Sequence, residues 1–281
     1  MRPTWLVMTS IVSVQVGAAI AKQLFGTVPP TTMVWLRLAA SAVIFLVVAR
    51  PTLSGRSLGD WRTALTFGVM LLGMNWCIYQ SFARIPLGMA VTLEFLGPLT
   101  LSVLLSRRAR DLVWVVLAGL GVALLGFTPH GLTWAGVLFA LAAGGFWAGY
   151  IMLAERTGRT WPGISGLAVA SLVGTLVLAG PAVAEGGERL LDPTVLAIGA
   201  AVGLLSSVIP YSLELVALRT LPRQVFSVLM SLEPAAAALA AMVLLHEWLA
   251  PLQWVAIGCV VAASVGATRT RNPPAVAATP G

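Results

Sequence analysis

Long apolar runs follow one another along this chain, and they constrain its fold more than any other feature. A run of about 17–25 apolar residues is long enough to cross the hydrocarbon core of a bilayer as a helix. The sequence contains ten such runs. They are Trp5–Phe25, Thr31–Ala49, Trp61–Phe82, Leu87–Leu105, Leu112–Phe127, Leu132–Ala154, Pro162–Ala184, Pro193–Leu218, Gln224–Leu245 and Pro251–Thr268. We therefore predict an all-α, polytopic membrane protein with ten transmembrane helices.

The composition agrees with a lipid environment. Of the 281 residues, 58% are hydrophobic and 10% are charged, whereas a soluble domain carries roughly 25% charged residues. So few charges cannot cover the surface of a protein in water, and we expect membrane lipid to contact much of it. The net charge of +7 would suggest nucleic acid in a soluble protein. Here the basic residues lie in short loops between apolar runs, which favours a topology signal and no nucleic-acid partner.

The distribution of basic residues predicts the orientation. If both termini are inside, 13 of the 17 basic residues face the cytoplasm, and only Arg84 and Arg189 lie in the opposite loops. Cytoplasmic loops carry the excess of Lys and Arg in membrane proteins. We expect a multi-pass protein of the bacterial inner membrane with both termini in the cytoplasm. Residues 269–281 contain Asn272-Pro273-Pro274 and are predicted to form a disordered cytoplasmic tail.

A weak internal repeat divides the chain into two halves. Pro86 and Pro98 match Pro222 and Pro234 at one offset, since 222 − 86 and 234 − 98 both equal 136. Each half then holds five helices, and an odd number makes the halves enter the membrane in opposite senses. Inverted repeats are common in transporters, with the binding site near the midplane between them. The predicted halves are residues 1–127 and 132–268.

Ionisable residues inside the spans are the first candidates for function, because each costs about 2.5–3.5 kcal/mol to insert. Five qualify: Lys22, Arg37, Glu94, Glu214 and Glu233. Glu94 lies eight residues into its span, about 12 Å deep at 1.5 Å per residue, and Gly97-Pro98 weakens the helix one turn later. Such a carboxylate can hold a substrate ammonium or a proton. The alternative is a structural ion pair with Lys22 or Arg37.

Each of the other four charged residues can likewise have a functional or a structural role. Glu233 lies deep in its span, directly before Pro234. Glu214 shares a polar helix face with Ser207 and Tyr211, although a surface ion pair with Arg219 is also possible. Lys22 shares a face with Gln15 and is near enough to the outer end to snorkel. For Arg37 we expect pairing with a carboxylate or with backbone carbonyls freed by a helix break.

Deep polar and aromatic residues complete the candidate set for substrate binding. Asn75 and Tyr79 are four residues apart and share a helix face, as do Trp147 and Tyr150, which are three apart. All four are deeper than the interfacial positions where aromatic anchors lie. They can line a cavity or pack in the core. The predicted substrate-binding residues are therefore Gln15, Lys22, Asn75, Tyr79, Glu94, Trp147, Tyr150, Tyr211, Glu214 and Glu233.

No catalytic or metal-binding constellation is visible in the sequence. His130 and His246 lie in outer loops without partners at metal-ligand spacing, and Cys77 and Cys259 lie in apolar runs, as packing thiols do. There is no phosphate-binding glycine loop. We expect a carrier without cofactor or metal, driven by a gradient in which protons are a possible coupling ion. The rival classes are a membrane-embedded enzyme and a channel.

Several stretches resemble one family of carriers. They are Gly17–Phe25, Leu36-Arg-Leu38, Ile85–Pro98 with Ser106-Arg-Arg108, Phe146–Ile151, Leu205–Glu214, Leu229–Pro234 and His246-Glu247. The chain resembles the EamA branch of the drug/metabolite transporter superfamily, and within it the bacterial threonine/homoserine exporters. The resemblance implies two inverted five-helix halves around a central cavity.

The resemblance also implies a substrate class, namely small hydrophilic amino acids such as threonine and homoserine, exported by alternating access. Related carriers move other metabolites, so a nucleotide sugar, a purine or a drug-like cation is an alternative substrate. The exporters carry a Gly-Glu pair where this chain has His246-Glu247. This departure bears on the loop and leaves the expected fold unchanged.

Overall fold

The structure, a computed structural model, describes residues 3–106, 111–126 and 132–270. Within these ranges the chain is helical and contains no β-strand, as predicted. The α-helices are α1 (Pro3–Gln23), α2 (Pro30–Ala49), α3 (Leu58–Phe82), α4 (Leu87–Glu94), α5 (Leu96–Ser106), α6 (Leu112–Gly126), α7 (Trp134–Thr160), α8 (Ser165–Gly186), α9 (Pro193–Gly203), α10 (Ile209–Leu218), α11 (Arg223–Met230), α12 (Glu233–Ala240) and α13 (Pro251–Thr270). A 3-10 turn covers Gly187–Leu191, and π-helical turns cover Leu204–Val208 and Ala241–Leu245.

Eight helical segments in the described part of the chain are long and apolar enough to cross a membrane. They are Pro3–Gln23, Pro30–Ala49, Leu87–Leu105, Trp134–Thr160, Ser165–Leu191, Pro193–Leu218, Gln224–Leu245 and Pro251–Arg269. The apolar helix Leu112–Leu124 is shorter, and α3 is 25 residues long but includes polar residues such as Asn75 and Gln80. The chain is thus a polytopic, all-α membrane protein.

Each predicted span overlaps a helix, and most boundaries agree to within a few residues. The largest difference is at α7, which continues to Thr160 rather than ending at Ala154. At the other end of the chain, α13 continues to Thr270, two residues into the predicted tail. The rest of that tail, residues 271–281, lies outside the described residues, as do His130 and Arg107-Arg108.

Three of the predicted spans are interrupted rather than continuous, and proline explains each interruption. Pro98, Pro210 and Pro234 have no backbone N–H, so none can donate to the carbonyl four residues earlier. The first and third prolines follow the breaks between α4 and α5 and between α11 and α12. At the second, the chain widens into the π-helical turn before α10, where Ile209 N donates to Leu204 O. The weakened helix predicted near Gly97-Pro98 is confirmed.

The helices of the first part of the chain pack against those of the second part. α3 packs along α7, and α2 packs along α8. In the same way α1 packs against α9 and α10, and α6 packs against α13. The largest hydrophobic core lies between these packed helices and includes Ala19, Leu38, Tyr79, Leu93 and Ala237. The two parts are therefore joined by a continuous apolar interface.

Glycines allow the closest approach of backbones, at the break between α4 and α5. Gly97 of α5 lies against the backbone of Gly144 on α7. A Cβ on Gly144 would lie only 2.5 Å from Glu94 O, whereas a Cβ on the next residue, Gly145, would meet nothing within 4 Å. The interrupted helix is thus seated directly on α7.

The two ends of the bundle differ in packing. We call the end where α1 finishes and α4 begins the Lys22 end, and the end of the α7–α8 connection the Trp161 end. All eight residues of α4, which begins at the Lys22 end, are buried. None of the described side chains of α11, which begins at the Trp161 end, is buried. Helix α4 is therefore more closely packed at the Lys22 end than α11 is at the Trp161 end, where Trp161 itself is fully buried.

Candidate functional site

Three glutamates from distant parts of the sequence converge inside the bundle. Glu94 is the last residue of α4, Glu233 is the first residue of α12, and Glu214 lies on α10. Glu94 and Glu233 are 9% and 8% exposed. Glu233 lies within Coulombic range of both Glu214 and Glu94. The breaks at Pro98 and Pro234 thus place two carboxylates at the ends of short helices, and α10 adds a third.

The carboxylates have few protein partners. Within the described ranges, neither Glu94 nor Glu233 makes a side-chain hydrogen bond or an ion pair. Glu214 accepts a hydrogen bond from Ser10 Oγ, 2.5 Å from its Oε1, and does not form the ion pair with Arg219 that we considered. A buried carboxylate without a partner needs a proton or a bound cation. The cluster can therefore take up an ammonium group or protons.

Arg37 satisfies the backbone of the π-helical turn. Its Nη2 donates to Ser206 O at 2.8 Å, and its Nε donates to Ser207 Oγ at 3.0 Å. Ser206 O is the carbonyl four residues before Pro210, which has no N–H to donate to it. The predicted pairing of Arg37 with freed carbonyls is confirmed. Arg37 also lies within Coulombic range of Glu94, but the two form no ion pair in the described structure.

Lys22 pairs with a residue that the sequence did not indicate. Its Nζ lies 2.5 Å from Glu247 Oε1 and donates to Ile85 O at 2.8 Å. The possible structural pair of Lys22 with Glu94 is therefore not formed. Gln15, which shares a helix face with Lys22, is 3% exposed, and its Oε1 has no hydrogen-bond partner within the described ranges.

Three of the predicted aromatic residues, Trp147, Tyr150 and Tyr211, divide between two clusters. Tyr150 stacks on Phe67, with ring centroids 4.7 Å apart, and Tyr211 belongs to the same cluster. Both tyrosines lie within Coulombic range of Glu214. Trp147 instead packs edge-on against Phe95, at 5.0 Å. Of the predicted pair on α7, Tyr150 therefore lies by the carboxylates, while Trp147 packs in a core of α5, α6 and α13.

The polar pair on α3 is engaged with its own surroundings. Asn75 Nδ2 donates to Leu71 O at 2.7 Å, one turn earlier on the same helix. Tyr79 is fully buried, and its hydroxyl accepts a long hydrogen bond of 3.4 Å from Arg37 Nη1. A role for either residue as a substrate contact stays a prediction.

Sequence reasoning did not single out Ser10, and it named Glu247 only as part of a family motif. Ser10 is a small polar residue in an apolar run, and such residues are too common in membrane helices to stand out. Glu247 lies after a span, where an acidic residue is ordinary. Neither would stand out without knowledge of the residue it faces, which is far away in the sequence. No group of three or more His, Cys, Asp or Glu residues within the described ranges could hold a metal ion, and both cysteines are free.

Comparison with known proteins agrees with this architecture. Residues 134–269 match the EamA-like transporter family. The chain is 40% identical over 275 residues to the threonine/homoserine exporter RhtA of Escherichia coli (strain K12), covering 95% of this chain and 93% of that protein. The chain belongs to the EamA-like transporter family. The family resemblance carried by the sequence motifs is confirmed.

A second relative and a solved structure extend this result. The threonine/homoserine exporter RhtA of Salmonella typhimurium (strain LT2) is 38% identical over 275 residues, with the same coverage. One protein of known crystal structure superposes with a TM-score of 0.61 at 18% identity, covering 94% of this chain and 96% of that one. At that identity the likeness concerns the fold alone. In this EamA-like transporter, the buried carboxylates are the candidate substrate site.

Proposed function

We propose that this protein is an inner-membrane secondary transporter that exports small amino acids, with threonine and homoserine as substrates. The observation that carries the proposal is the 40% identity to a threonine/homoserine exporter over 95% of the chain. The aligned 95% of the chain includes α4, α10 and α12, the helices that bring the three glutamates together. The family therefore supports a transporter, and the site supports a cationic group on its substrate.

The chemistry of the cluster supports an amino-acid substrate. An ammonium group carries three N–H donors, and the unpartnered carboxylates of Glu94 and Glu233 are acceptors of the right charge. The orphaned Oε1 of Gln15 is a further buried acceptor. Tyr150, Tyr211 and Glu214 add polar groups from α7 and α10, and Tyr211 lies within Coulombic range of all three glutamates. We assign the ammonium of the substrate to Glu94 and Glu233, with Gln15, Tyr150, Tyr211 and Glu214 lining the path.

Two inverted repeats and alternating access are part of the proposal. The short helices α4 and α11 begin and end at one offset, since 223 − 87 and 230 − 94 both equal 136. The packing is also paired. In the first half, α3 packs on α7, the first helix of the second half; correspondingly, α9 and α10 of the second half pack on α1, the first helix of the first half. Both patterns support ten helices in two halves, residues 1–127 and 132–268. Rocking of such halves around a midplane site gives alternating access.

Protons are the proposed coupling ion. Three clustered carboxylates with one nearby cation cannot all remain charged in a low-dielectric interior. When the substrate ammonium leaves, protons are the simplest replacement for its charge. Exchange of amino acid against protons at one site would couple export to the proton gradient.

Export from living cells tests the substrate. Cells overproducing the protein should tolerate high external threonine or homoserine better than cells carrying an empty vector, and should release preloaded labelled threonine faster. Equal tolerance and equal release, with the protein shown to be in the membrane, would count against amino-acid export. Faster release of a nucleotide sugar, a purine or a drug-like cation instead would reassign the substrate.

A further inference from the structure

A charged contact ties the two parts of the chain together at the Lys22 end. Lys22 Nζ lies 2.5 Å from Glu247 Oε1. The same ammonium donates to Ile85 O at 2.8 Å, and Glu247 Oε2 accepts from Leu87 N at 2.8 Å. The end of α1, the start of α4 and the segment between α12 and α13 therefore meet at one pair of charges.

The surroundings make this contact stronger than an ordinary surface ion pair. The side chains of Lys22 and Glu247 are 16% and 20% exposed, whereas those of the Glu155–Arg159 pair at the other end are 72% and 75% exposed. Shielded pairs are screened little by salt, and loss of one partner leaves an unpaired charge. Beside the pair, Gln23 Nε2 donates to Leu244 O at 2.6 Å, which adds a second link between α1 and the segment after α12.

The position of the pair gives it a consequence for movement. Helix α4 runs from the Lys22 end to Glu94 of the carboxylate cluster, and its eight residues are all buried. To expose α4 at this end, the segment that carries Glu247 must separate from α1 and from the start of α4. That separation breaks the ion pair, the contact with Ile85 O and the contact with Leu87 N together.

We propose that Lys22 and Glu247 form a latch that holds the Lys22 end closed while the carboxylate cluster is reached from the Trp161 end. Release of substrate at the Lys22 end requires the latch to open. Lys22 is then a positioning residue that acts on α4, and it does not contact the substrate. This inference rests on the proposed transport function, although the latch itself can be measured without any substrate.

Cysteine labelling measures the latch directly. In the full chain carrying Cys77→Ala and Cys259→Ala, Ala90→Cys places one thiol on α4, where Ala90 is fully buried. The protein is purified into nanodiscs, and its reaction with a bulky polar maleimide is timed. We expect Glu247→Gln to raise the labelling rate at least tenfold, since the neutral amide cannot hold the Lys22 ammonium. The matched control is Glu155→Gln, which removes the exposed pair and should leave the rate unchanged.

Charge reversal separates a latch from general loosening of the fold. In Lys22→Glu/Glu247→Lys, the new carboxylate can accept from Leu87 N and the new ammonium can donate to Ile85 O. The double variant should return the labelling rate to near that of the parent, while each single reversal should raise it. An unchanged rate in Glu247→Gln, or a double variant that labels as fast as the single ones, would overturn the latch.

The outcome is independent of the substrate. Faster labelling of Glu247→Gln in a protein that moves no amino acid would keep the latch and reject the proposed substrate. Unchanged labelling in a protein that exports threonine would reject the latch and keep the proposed function.

Discussion

Buried charges in this chain are stabilised in two different ways. Arg37 donates a hydrogen bond to the backbone carbonyl Ser206 O, to which Pro210 cannot donate because it has no N–H. Glu94 has no comparable partner in the described ranges. A partnered residue such as Arg37 is needed for stability. An unpartnered buried carboxylate such as Glu94 lowers stability, and we expect it only where function requires it. Substitution should therefore affect the two in opposite ways.

Glu94→Gln should leave the fold intact and impair transport. The amide has nearly the shape of the carboxylate and loses only its charge, and no ion pair is broken. We expect the unfolding temperature in detergent to be maintained or raised, and transport to fall at least tenfold, about 1.4 kcal/mol. Glu155→Gln is the control for a surface glutamate. Wild-type flux in a stably inserted Glu94→Gln protein would falsify the assignment.

Arg37→Met should destabilise the protein by about 2 kcal/mol, because Ser206 O then becomes a buried acceptor without a donor. Pro210→Ala supplies a backbone N–H that can reach this carbonyl. In the Pro210→Ala background, Arg37→Met should therefore cost about 1 kcal/mol less. Unfolding of the four proteins of this cycle measures the coupling. Strict additivity would show that Arg37 acts through other contacts.

The sequence predicted the helices well, but it did not predict which side chains of distant helices contact each other. Apolar length identifies spans because a bilayer requires it, and Gly97-Pro98 identified a break because proline cannot donate. The π-helical turn before Pro210 was not predicted, since proline can also be accommodated by a kink. The pairing of Lys22 with Glu247 depends on packing between distant helices. One sequence contains no record of such a contact.

Substitution of two neighbouring glycines on α7 tests the close contact between this helix and the break between α4 and α5. Gly144→Ala would place a Cβ 2.5 Å from Glu94 O, so the helix break must shift or α7 must move away. We expect a loss of about 2 kcal/mol or more in unfolding free energy. Gly145→Ala, where the Cβ meets nothing within 4 Å, should be neutral or stabilising by up to about 1 kcal/mol. Equal effects of the two substitutions would contradict the close contact.

For the molecule as a whole, the difference between its ends matters most. At the Lys22 end α4 is fully buried, whereas at the Trp161 end α11 is only partly buried. With the orientation that the basic residues predict, the end with the partly buried helix faces the cytoplasm. A conformation of this kind would suit an exporter that collects its substrate from inside the cell.

Reporter fusions test that orientation across a single helix. A reporter active only in the periplasm, fused after Arg189 in the turn that follows α8, should give a strong signal. The same reporter fused after Trp161, before α8, should give none. These two sites differ by one crossing of the membrane, and immunoblotting confirms that both fusions are expressed. The opposite pattern would place both termini outside and reverse the two ends.

We propose that this chain moves small amino acids through a site built on buried carboxylates. Counter-flow uptake of labelled threonine into proteoliposomes holding purified protein tests it most directly. We expect transient accumulation of label in vesicles preloaded with unlabelled threonine or homoserine, and at least tenfold slower accumulation with Glu94→Gln. Absence of accumulation with the folded wild-type protein, or equal accumulation with Glu94→Gln, would contradict it.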